Sequence, residues 1–289
     1  MQTTAAAITM VHDDAFFLER WVKYYGDMFG RDALYVINHG HNPEVARIAE
    51  GCNILGLPGG LGEKFEVRRW RLFNGLQQGL QQYFKYVIVG DVDEYVVADP
   101  LMGKSLLEFL RDGPARQIYT PLGLEVLHCP TRETDAITGP ILGPRRFVRV
   151  NLHYAKPCVM GRVNKIARGG HYVAYNKLHA DPSLYLFHMK YCDIGQYSAA
   201  MDRRNQNVSD AEDDGLDAGV GVHWQAQSRG DDQAIFNAFS ARPIEPFDMH
   251  PYRKYMNDGF EHRANDLWHF HRKQYDCSHE LPERFFGLV

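Results

Sequence analysis

One stretch constrains the fold more than any other: at residues 86–95, YVIVGDVDEY, an apolar run ends abruptly in three carboxylates. The run is short, rich in β-branched and aromatic residues and bounded by Gly90, which predicts a buried strand of a parallel sheet rather than a helix. Asp91 and Asp93 would then lie at the carboxyl edge of an open α/β sheet, where such folds bind ligands. Two carboxylates there suit Mg²⁺ or Mn²⁺, and such an ion would offset the charge of a diphosphate. The alternative is a solvated acidic turn.

The composition of the chain excludes several classes of protein. Its 289 residues, 45% apolar and 12% aromatic, suffice for one large globular domain. The net charge of −4 gives no electrostatic reason to expect nucleic acid as a partner. No apolar run is long enough to span a bilayer, which leaves at most peripheral membrane contact, and the start of the chain lacks the basic region of a signal peptide. The five scattered cysteines form no Cys-x-x-Cys pair, so we expect reduced thiols in a cytoplasmic protein.

Strand and helix patterns alternate through the first hundred residues. Apolar runs typical of buried strands occur at residues 7–11, 34–37, 53–57 and 86–89. Helical spacing separates them, and Asn42 is positioned to cap a helix over 43–50. The alternation predicts an α/β fold with a mostly parallel sheet flanked by helices. We expect a single domain over 1–289, with a nucleotide-binding half at 1–115 and a β-rich and loop-rich acceptor half, including a C-terminal extension, at 116–289.

The second half of the chain has a different character. Its elements are short β-like runs at 117–119, 147–150 and 184–187, and helical patterns at 194–204 and 231–241. The polar, glycine-rich stretch 210–221 is interpreted as a mobile loop that serves as a lid. No Gly-x-Gly-x-x-Gly, Walker A or Gly-x-Ser-x-Gly element occurs, so the sequence lacks the signatures of those sites.

Polar side chains follow the first two predicted strands at the same rim as Asp91. His12, Asp13 and Asp14 come directly after the first strand, and Asn38 ends the second. In a nucleotide-binding sheet these loops contact the base or the ribose. The alternatives are an N-cap for the two acids and a plain turn at Asn38.

Basic and histidine side chains could complete such a site. A basic cluster lies near the start of a long helix, where the helix dipole does not favour cations: Lys64, Arg68, Arg69 and Arg71. A phosphate contact for one or two of them is one interpretation, and a solvated basic face is the other. His188 ends an apolar run, where it could join the two aspartates around a metal ion or be purely structural. Lys190 could take the charge of a leaving phosphate.

Further candidates face a possible acceptor. A Gly-Gly turn presents His171 and Tyr172, an imidazole and an aromatic ring that suit a sugar, although a hairpin turn explains the pattern equally. Asp232 lies at the start of a predicted helix with apolar residues at helical spacing. It could simply cap this helix, or it could act as a general base.

Assembled, these residues resemble the GT-A nucleotide-sugar glycosyltransferases, and among them a family-2-like bacterial group, over residues 7–205. The shared features are a strand followed by a polar motif and an aromatic helix with Trp21, the Asp-x-Asp-Glu-Tyr run, and three later motifs. Those motifs are Lys156-Pro157, Gly169-Gly170-His171 and His188-Met189-Lys190. The chain departs from the family at Asp13-Asp14, where Asn-Glu is usual, and at the turn 38–42, which lacks the usual acid.

The resemblance implies a Rossmann-like GT-A fold and a reaction. A sugar would pass from a nucleoside-diphosphate donor to a hydroxyl of a glycan or glycolipid, with Mn²⁺ or Mg²⁺ held by Asp93, with Asp91 nearby and His188 as a further ligand. If the enzyme inverts, a carboxylate base deprotonates the acceptor. Candidates for that base are Glu125, Glu133, Asp135, Asp181 and Asp232, with the second and third favoured.

Two other functions stay open at this point. A metal-dependent nucleotidyltransferase or phosphotransferase would share the aspartate pair but should carry a glycine- and lysine-rich loop after the first strand, which residues 12–14 lack. A non-catalytic nucleotide-sugar-binding relative would lack Asp93 or the histidine, and both are present. The donor base, the sugar, the acceptor and the stereochemistry are not predicted.

Overall fold

The computed structural model describes residues 3–60, 63–167, 169–213, 232–263 and 265–289. Within them, the strands are β1 (Thr3–Val11), β2 (Leu34–His39), β3 (Asn53–Leu57), β4 (Phe84–Val89), β5 (Glu94–Ala98), β6 (Ile118–Tyr119), β7 (Leu122–Leu127), β8 (Phe147–Val150), β9 (Val159–Met160), β10 (Ile166–Ala167), β11 (Tyr172–Val173), β12 (Leu184–Tyr191), β13 (Ile244–Glu245), β14 (Glu261–His262), β15 (Trp268–His269) and β16 (Ser278–Glu280). The α-helices are α1 (Ala15–Phe29), α2 (Pro43–Ile48), α3 (Phe65–Leu80), α4 (Leu106–Asp112), α5 (Ile194–Asp213), α6 (Asp232–Ser240) and α7 (His250–Asp258). Short 3-10 helices lie at Arg31–Ala33, Pro100–Met102 and Glu283–Phe285.

The first half of the chain builds a six-stranded sheet in the order β3-β2-β1-β4-β9-β6. The first four strands are parallel, and β9 is antiparallel to both β4 and β6. Ile8 of β1 lies between Tyr35 of β2 and Val89 of β4, so the carboxyl ends of these three strands share one rim. The predicted α/β class, with a mostly parallel, Rossmann-like sheet flanked by helices, is confirmed.

The alternation of side chains along β1 explains the layers on either side. Ala5 and Ala7 belong to the core that contains Trp21 of α1, whereas Ala6 and Ile8 belong to the core that contains Trp70 of α3. Successive residues of a strand point to opposite faces, so one helix packs on each face of the sheet. Burial of each large apolar side chain contributes about 1.5–3 kcal/mol, which fixes both helices against the strand.

A second six-stranded sheet has the order β13-β16-β8-β7-β12-β5. It is mixed: β12 is parallel to β7 and antiparallel to β5. The chain passes from the first sheet to the second through residues 90–93, between β4 and β5. One buried core contains residues of both sheets, and a small antiparallel sheet, β10-β11-β15-β14, completes the architecture of the described residues.

Most local predictions agree with these elements. Asn42 caps α2, and its side-chain oxygen accepts a hydrogen bond from Glu44 N at 2.9 Å. The helices predicted over 194–204 and 231–241 correspond to α5 and α6, although α5 continues to Asp213. That extension absorbs the start of the stretch interpreted as a lid, and the rest of it, 214–221, lies outside the described residues. None of the helices in the described part of the chain combines the length and apolar character needed to cross a bilayer.

Candidate active site

The acidic turn between β4 and β5 lies where the two large sheets meet. Gly90 N donates to Ile8 O at 3.3 Å, which ties the start of the turn to β1, and Glu94 N donates to Asp91 O at 3.1 Å, which closes it. Within this tight turn the side chains of Asp91 and Asp93 have different partners. Asp91 contacts α3 and the segment before β9, whereas Asp93 contacts β12.

Asp91 is held by two cations. Arg69 Nη2 donates to its Oδ1 in a short contact, and Lys156 Nζ lies 3.1 Å from its Oδ2. Burial alone would raise the pKa of Asp91, but the neighbouring Arg69 and Lys156 lower that pKa well below its usual range. Asp91 is therefore a fixed carboxylate at neutral pH, and 31% of its side chain remains exposed.

Lys156 is a buried ammonium shared by two carboxylates. Its Nζ lies 2.5 Å from Glu94 Oε1 as well as 3.1 Å from Asp91. Burial raises the pKa of Glu94 in spite of this lysine, whereas the pKa of Lys156 is raised because Glu94 and Asp91 outweigh its own burial. The ammonium thus links the acidic turn to the segment before β9.

Asp93 begins a chain of polar contacts that crosses the second sheet. His188 Nε2 lies 3.4 Å from Asp93 Oδ2, and His188 Nδ1 lies 3.4 Å from Glu125 Oε1. On the other side of Glu125, Arg149 Nε donates to its Oε2 at 2.5 Å. His188, Glu125 and Arg149 occupy registered positions on β12, β7 and β8, so the sheet itself sets their spacing. The ring of Tyr154 stacks on His188 at a centroid distance of 3.6 Å.

The carboxylates on both sides of His188 control its ionisation. Burial would lower the pKa of His188, but Asp93 and Glu125 raise it to about 9. Burial would likewise raise the pKa of Glu125, but His188 and Arg149 lower it to about 2. An imidazolium between two carboxylates is therefore the stable state when no other cation is bound.

The contacts of Asp93 and His188 fit a divalent cation. A carboxylate behind a histidine, on the nitrogen that does not ligate, is the usual arrangement of metal-bound imidazoles, and Glu125 has this position. Two oxygens or nitrogens bound to one small cation lie about 3 Å apart, close to the 3.4 Å between Asp93 Oδ2 and His188 Nε2. Asp91 does not complete a three-ligand group, because the ligand atoms of these three described residues are not all within 4.8 Å of one another.

The residues predicted to contact a nucleotide lie on the loop after β1 and, in the case of Asn38, near the end of β2. Asn42 Nδ2 donates to His12 O at 2.8 Å and the Asn38 side-chain oxygen accepts from Asn42 N at 2.8 Å, which joins the two loops. Asp13 and Asp14 both pair with Arg203 of α5, at 3.1 and 2.8 Å. The two acids therefore anchor α5 to this rim.

Three of the basic residues considered as phosphate contacts have surroundings that differ from those of Arg69. Lys64 is exposed, adopts left-handed backbone at φ 53° and pairs with Glu63 at 3.3 Å. Arg68 is also exposed. Lys190 lies over the rings of Tyr191 and Tyr197 at 5.2 and 5.8 Å. The lysine thus packs beside an aromatic pair on the side of β12 that faces α5.

The predicted acceptor turn lies against the residues that hold Asp91. A Cβ added to Gly170 would stand 2.7 Å from the Trp70 ring and 3.5 Å from Lys156 Cδ, so this position, with φ at 85°, requires glycine. His171 follows the turn, and the Tyr172 ring meets His269 edge-on at 4.5 Å. The turn and the acidic pair are therefore neighbours.

Three of the candidates for the catalytic base differ in the hydrogen bonds and the exposure of their carboxylates. Both carboxylate oxygens of Glu133 accept backbone hydrogen bonds, from Cys129 N at 2.8 Å and Arg146 N at 2.5 Å, in a buried position. Asp232 accepts from Ser198 Oγ and joins α6 to α5. Asp135 is exposed, and its carbonyl accepts from Arg145 at 2.8 Å. Glu133 and Asp232 therefore have structural contacts, and Asp135 has a solvent-accessible carboxylate.

Sequence reasoning misses the ion pairs that organise the site. It singles out Lys156 only for the proline that follows it, and it considers Arg69 only as a member of a basic cluster that could face a phosphate. Glu125 and Arg149 could in principle have been recognised as members of a buried ion pair. Each is a lone charge in an apolar strand, such as residues 122–127, and such a charge needs a buried partner. The identity of that partner depends on strand register, which local patterns do not provide.

Two histidines at the acceptor turn, the half-buried His171 and the buried His269, predict a stability change with pH. Burial lowers the pKa of His171 to about 2 and that of His269 to about 3, so both are neutral in the folded protein. The unfolded chain takes up these protons near pH 6.5. Stability is then complete above that pH and is lost as the pH falls, by up to about 2 kcal/mol per histidine at pH 5.

Urea unfolding between pH 7.5 and 5 checks this expectation. His171→Gln and His269→Gln should each show a smaller loss of unfolding free energy on acidification than the unaltered protein. His250→Gln, at an exposed position on α7, is the matched control and should keep the full loss. Identical pH dependence in all four proteins would contradict the burial of neutral imidazoles here.

Comparison with known proteins gives little beyond this geometry. The chain matches no protein-family model and no curated protein. Among solved structures it is similar to mannose-1-phosphate geranyltransferase from Thermus thermophilus, with 14% sequence identity over 77% of this chain and 67% of that chain. The TM-score is 0.31, a likeness too loose to carry an argument. The fold class rests on the strand order, and the function must be argued from the site.

Proposed function

We propose that this protein is a metal-dependent glycosyltransferase that moves a sugar from a nucleoside-diphosphate donor to a hydroxyl of a glycan or glycolipid. The observation that carries the proposal is the contact chain Asp93–His188–Glu125, which starts beside the carboxyl end of β4 in the Rossmann-like sheet and continues into the second sheet. That edge is where open α/β sheets bind nucleotides. A divalent ion held by Asp93 and His188 would supply positive charge to the leaving diphosphate.

We assign the donor to the rim shared by β1, β2 and β4. The loop that carries His12 and the end of β2 that carries Asn38 are joined through Asn42 and offer backbone and side-chain groups for the base and ribose. Asp91, fixed by its two cations and still partly exposed, accepts a hydrogen bond from a donor hydroxyl in this proposal. Because the same cations, Arg69 and Lys156, hold Asp91 charged, they also limit the net negative charge that a diphosphate meets.

We assign the acceptor to the side of the Gly-Gly turn. His171 and Tyr172 present an imidazole and a ring next to the acidic pair, and rings of this kind bind the apolar faces of sugars. For the base of an inverting reaction we propose Asp135. Arg145 links Asp135 to the strand that carries His188. Its guanidinium donates to the carbonyl of Asp135 and also to that of Cys192, the residue directly after β12.

We propose that the enzyme is cytoplasmic, and its free thiols support this location because the cytoplasm is a reducing compartment. All five cysteines are free, and four of them are buried. Secreted proteins of this size generally pair such residues, whereas cytosolic proteins keep them reduced.

A ligand screen by thermal unfolding tests the proposal. Nucleoside-diphosphate sugars with Mn²⁺ should raise the melting temperature for at least one donor, because a ligand at a hundred times its Kd stabilises the folded state by about 2.7 kcal/mol. The shift should need Mn²⁺ and should vanish in Asp93→Asn. Asp258→Asn removes an exposed acid of α7 that pairs with Lys254, and this control should keep the shift. No stabilisation by any donor, with or without the metal, would contradict the proposed function.

A further inference from the structure

A second cluster of ligating side chains lies at the edge of the second sheet opposite β5. The sheet order places β13 and β16 at that edge, with Glu245 registered against His279. Cys277 comes two residues before His279, and residues two apart on an extended chain face the same side. Three chain positions that form no known sequence motif thus converge on one point.

The distances within the cluster suit a metal ion. Among the described residues, the ligand atoms of Glu245, Cys277 and His279 are a group in which all lie within 4.8 Å of one another. Cys277 Sγ and His279 Nε2 are 3.8 Å apart. Tetrahedral zinc, with bonds of about 2.3 Å to sulfur and 2.0 Å to nitrogen, separates two such ligands by about 3.5 Å. The thiol and the imidazole are therefore within a few tenths of an ångström of a zinc-bound arrangement.

The imidazole is oriented for ligation. His279 Nδ1 lies 2.9 Å from Pro246 O and 3.2 Å from Glu245 O. Since a carbonyl only accepts hydrogen bonds, Nδ1 carries the proton and Nε2 presents its lone pair towards Cys277. A backbone carbonyl on the distal nitrogen is the common support of a metal-bound histidine.

The surroundings allow an ion to enter and to be held. His279 is 1% exposed and Cys277 is 9% exposed, whereas Glu245 is on the surface. Tyr252 Oη lies 3.1 Å from His279 Nε2 and 3.6 Å from Cys277 Sγ, which adds an oxygen beside the two buried ligands. The cluster is thus closed on its inner side and open at the glutamate.

We propose that Glu245, Cys277 and His279 bind Zn²⁺, with a water molecule or Tyr252 Oη in the fourth position. A thiolate with an imidazole selects zinc over the harder Mg²⁺ and Mn²⁺, so this site is chemically distinct from the one at Asp93. On binding, the Cys277 thiol gives its proton to solvent and the sulfur bonds to the metal. The ion fastens the short edge strand β13 to β16 and, through Tyr252, to α7.

Metal analysis of the full chain, purified without a polyhistidine tag, tests the site. After incubation with Zn²⁺ and extensive dialysis, mass spectrometry of the metal content should find about one tightly held zinc per chain. Replacement by Co²⁺ should give a sulfur-to-cobalt charge-transfer band and the visible absorption of a tetrahedral ion. A zinc content below about a tenth of an ion per chain, with no sulfur-to-cobalt band, would overturn the proposal.

Paired variants identify the ligands. Cys277→Ser and His279→Gln should each lose the zinc and the charge-transfer band, whereas Cys52→Ser and His250→Gln, which alter residues outside the cluster, should retain both. Asp93→Asn should also keep its zinc. The absence of a zinc site can therefore be distinguished from the absence of transferase activity. Zinc retained at full stoichiometry by Cys277→Ser would contradict ligation by the thiol, and the measurement on the unaltered chain remains decisive if a variant does not fold.

Discussion

Replacing Asp93 by Asn should lower the rate of sugar transfer by at least about 10³-fold, a loss of about 4 kcal/mol of transition-state stabilisation. The change keeps the shape of the side chain but removes the charge that faces His188 Nε2 at 3.4 Å. Without it, the site loses its only carboxylate in contact with that imidazole nitrogen among the described residues. The measurement is turnover of the donor found by the ligand screen, with circular dichroism to verify the fold.

The control for this experiment is Asp258→Asn, which alters an exposed acid on α7 and should leave turnover unchanged. A rate for Asp93→Asn within tenfold of the unaltered protein would contradict the role of Asp93. Undiminished activity of the unaltered protein in EDTA would contradict the metal dependence of the reaction as well.

Replacing Lys156 by Met should destabilise the fold by about 3–5 kcal/mol. The ammonium is buried and is the partner of both Asp91 and Glu94, at 3.1 and 2.5 Å. Its loss removes the ammonium from the buried Glu94 carboxylate and leaves Asp91 paired with Arg69. The free energy of unfolding in urea measures the cost.

Two further variants separate this effect from a general cost of losing lysine. Lys104→Met breaks an ion pair with Asp112 that is about half exposed, so it should cost at most about 1 kcal/mol. Adding Glu94→Gln to Lys156→Met should recover part of the loss, because the neutral amide no longer needs the cation. A cost below about 1 kcal/mol for Lys156→Met alone would contradict a buried, shared ammonium.

The sequence predicts the parts of the fold that depend on local patterns. The apolar strand before Asp91, the helix cap at Asn42 and the alternation that builds the parallel sheet follow from residue types within a few positions of one another. The short strands of the second sheet are also recognisable, but not their order. Their pairing joins segments that are distant in the sequence, as between Phe147 of β8 and Glu280 of β16, and no local period carries that information.

The site shows the same division. Asp93 and His188 are expected to act together, and the structure has them in contact. Glu125 of β7 contacts His188, and Lys156, in the segment before β9, pairs with Asp91 and Glu94. Only the three-dimensional register reveals these partners. The polar segment around Glu133 favours that residue as a base. In the structure its two oxygens accept backbone hydrogen bonds in a buried position, since buried N–H groups of the long loop between β7 and β8 need acceptors.

The products of the reaction test the central claim most directly. The protein, Mn²⁺ and the stabilising donor should release the nucleoside diphosphate and transfer the sugar to an acceptor hydroxyl, or slowly to water, as followed by phosphorus NMR. Asp93→Asn should release none. Formation of pyrophosphate from a nucleoside triphosphate and a sugar phosphate, with no nucleoside diphosphate released from any donor, would contradict glycosyl transfer and identify a nucleotidyltransferase instead.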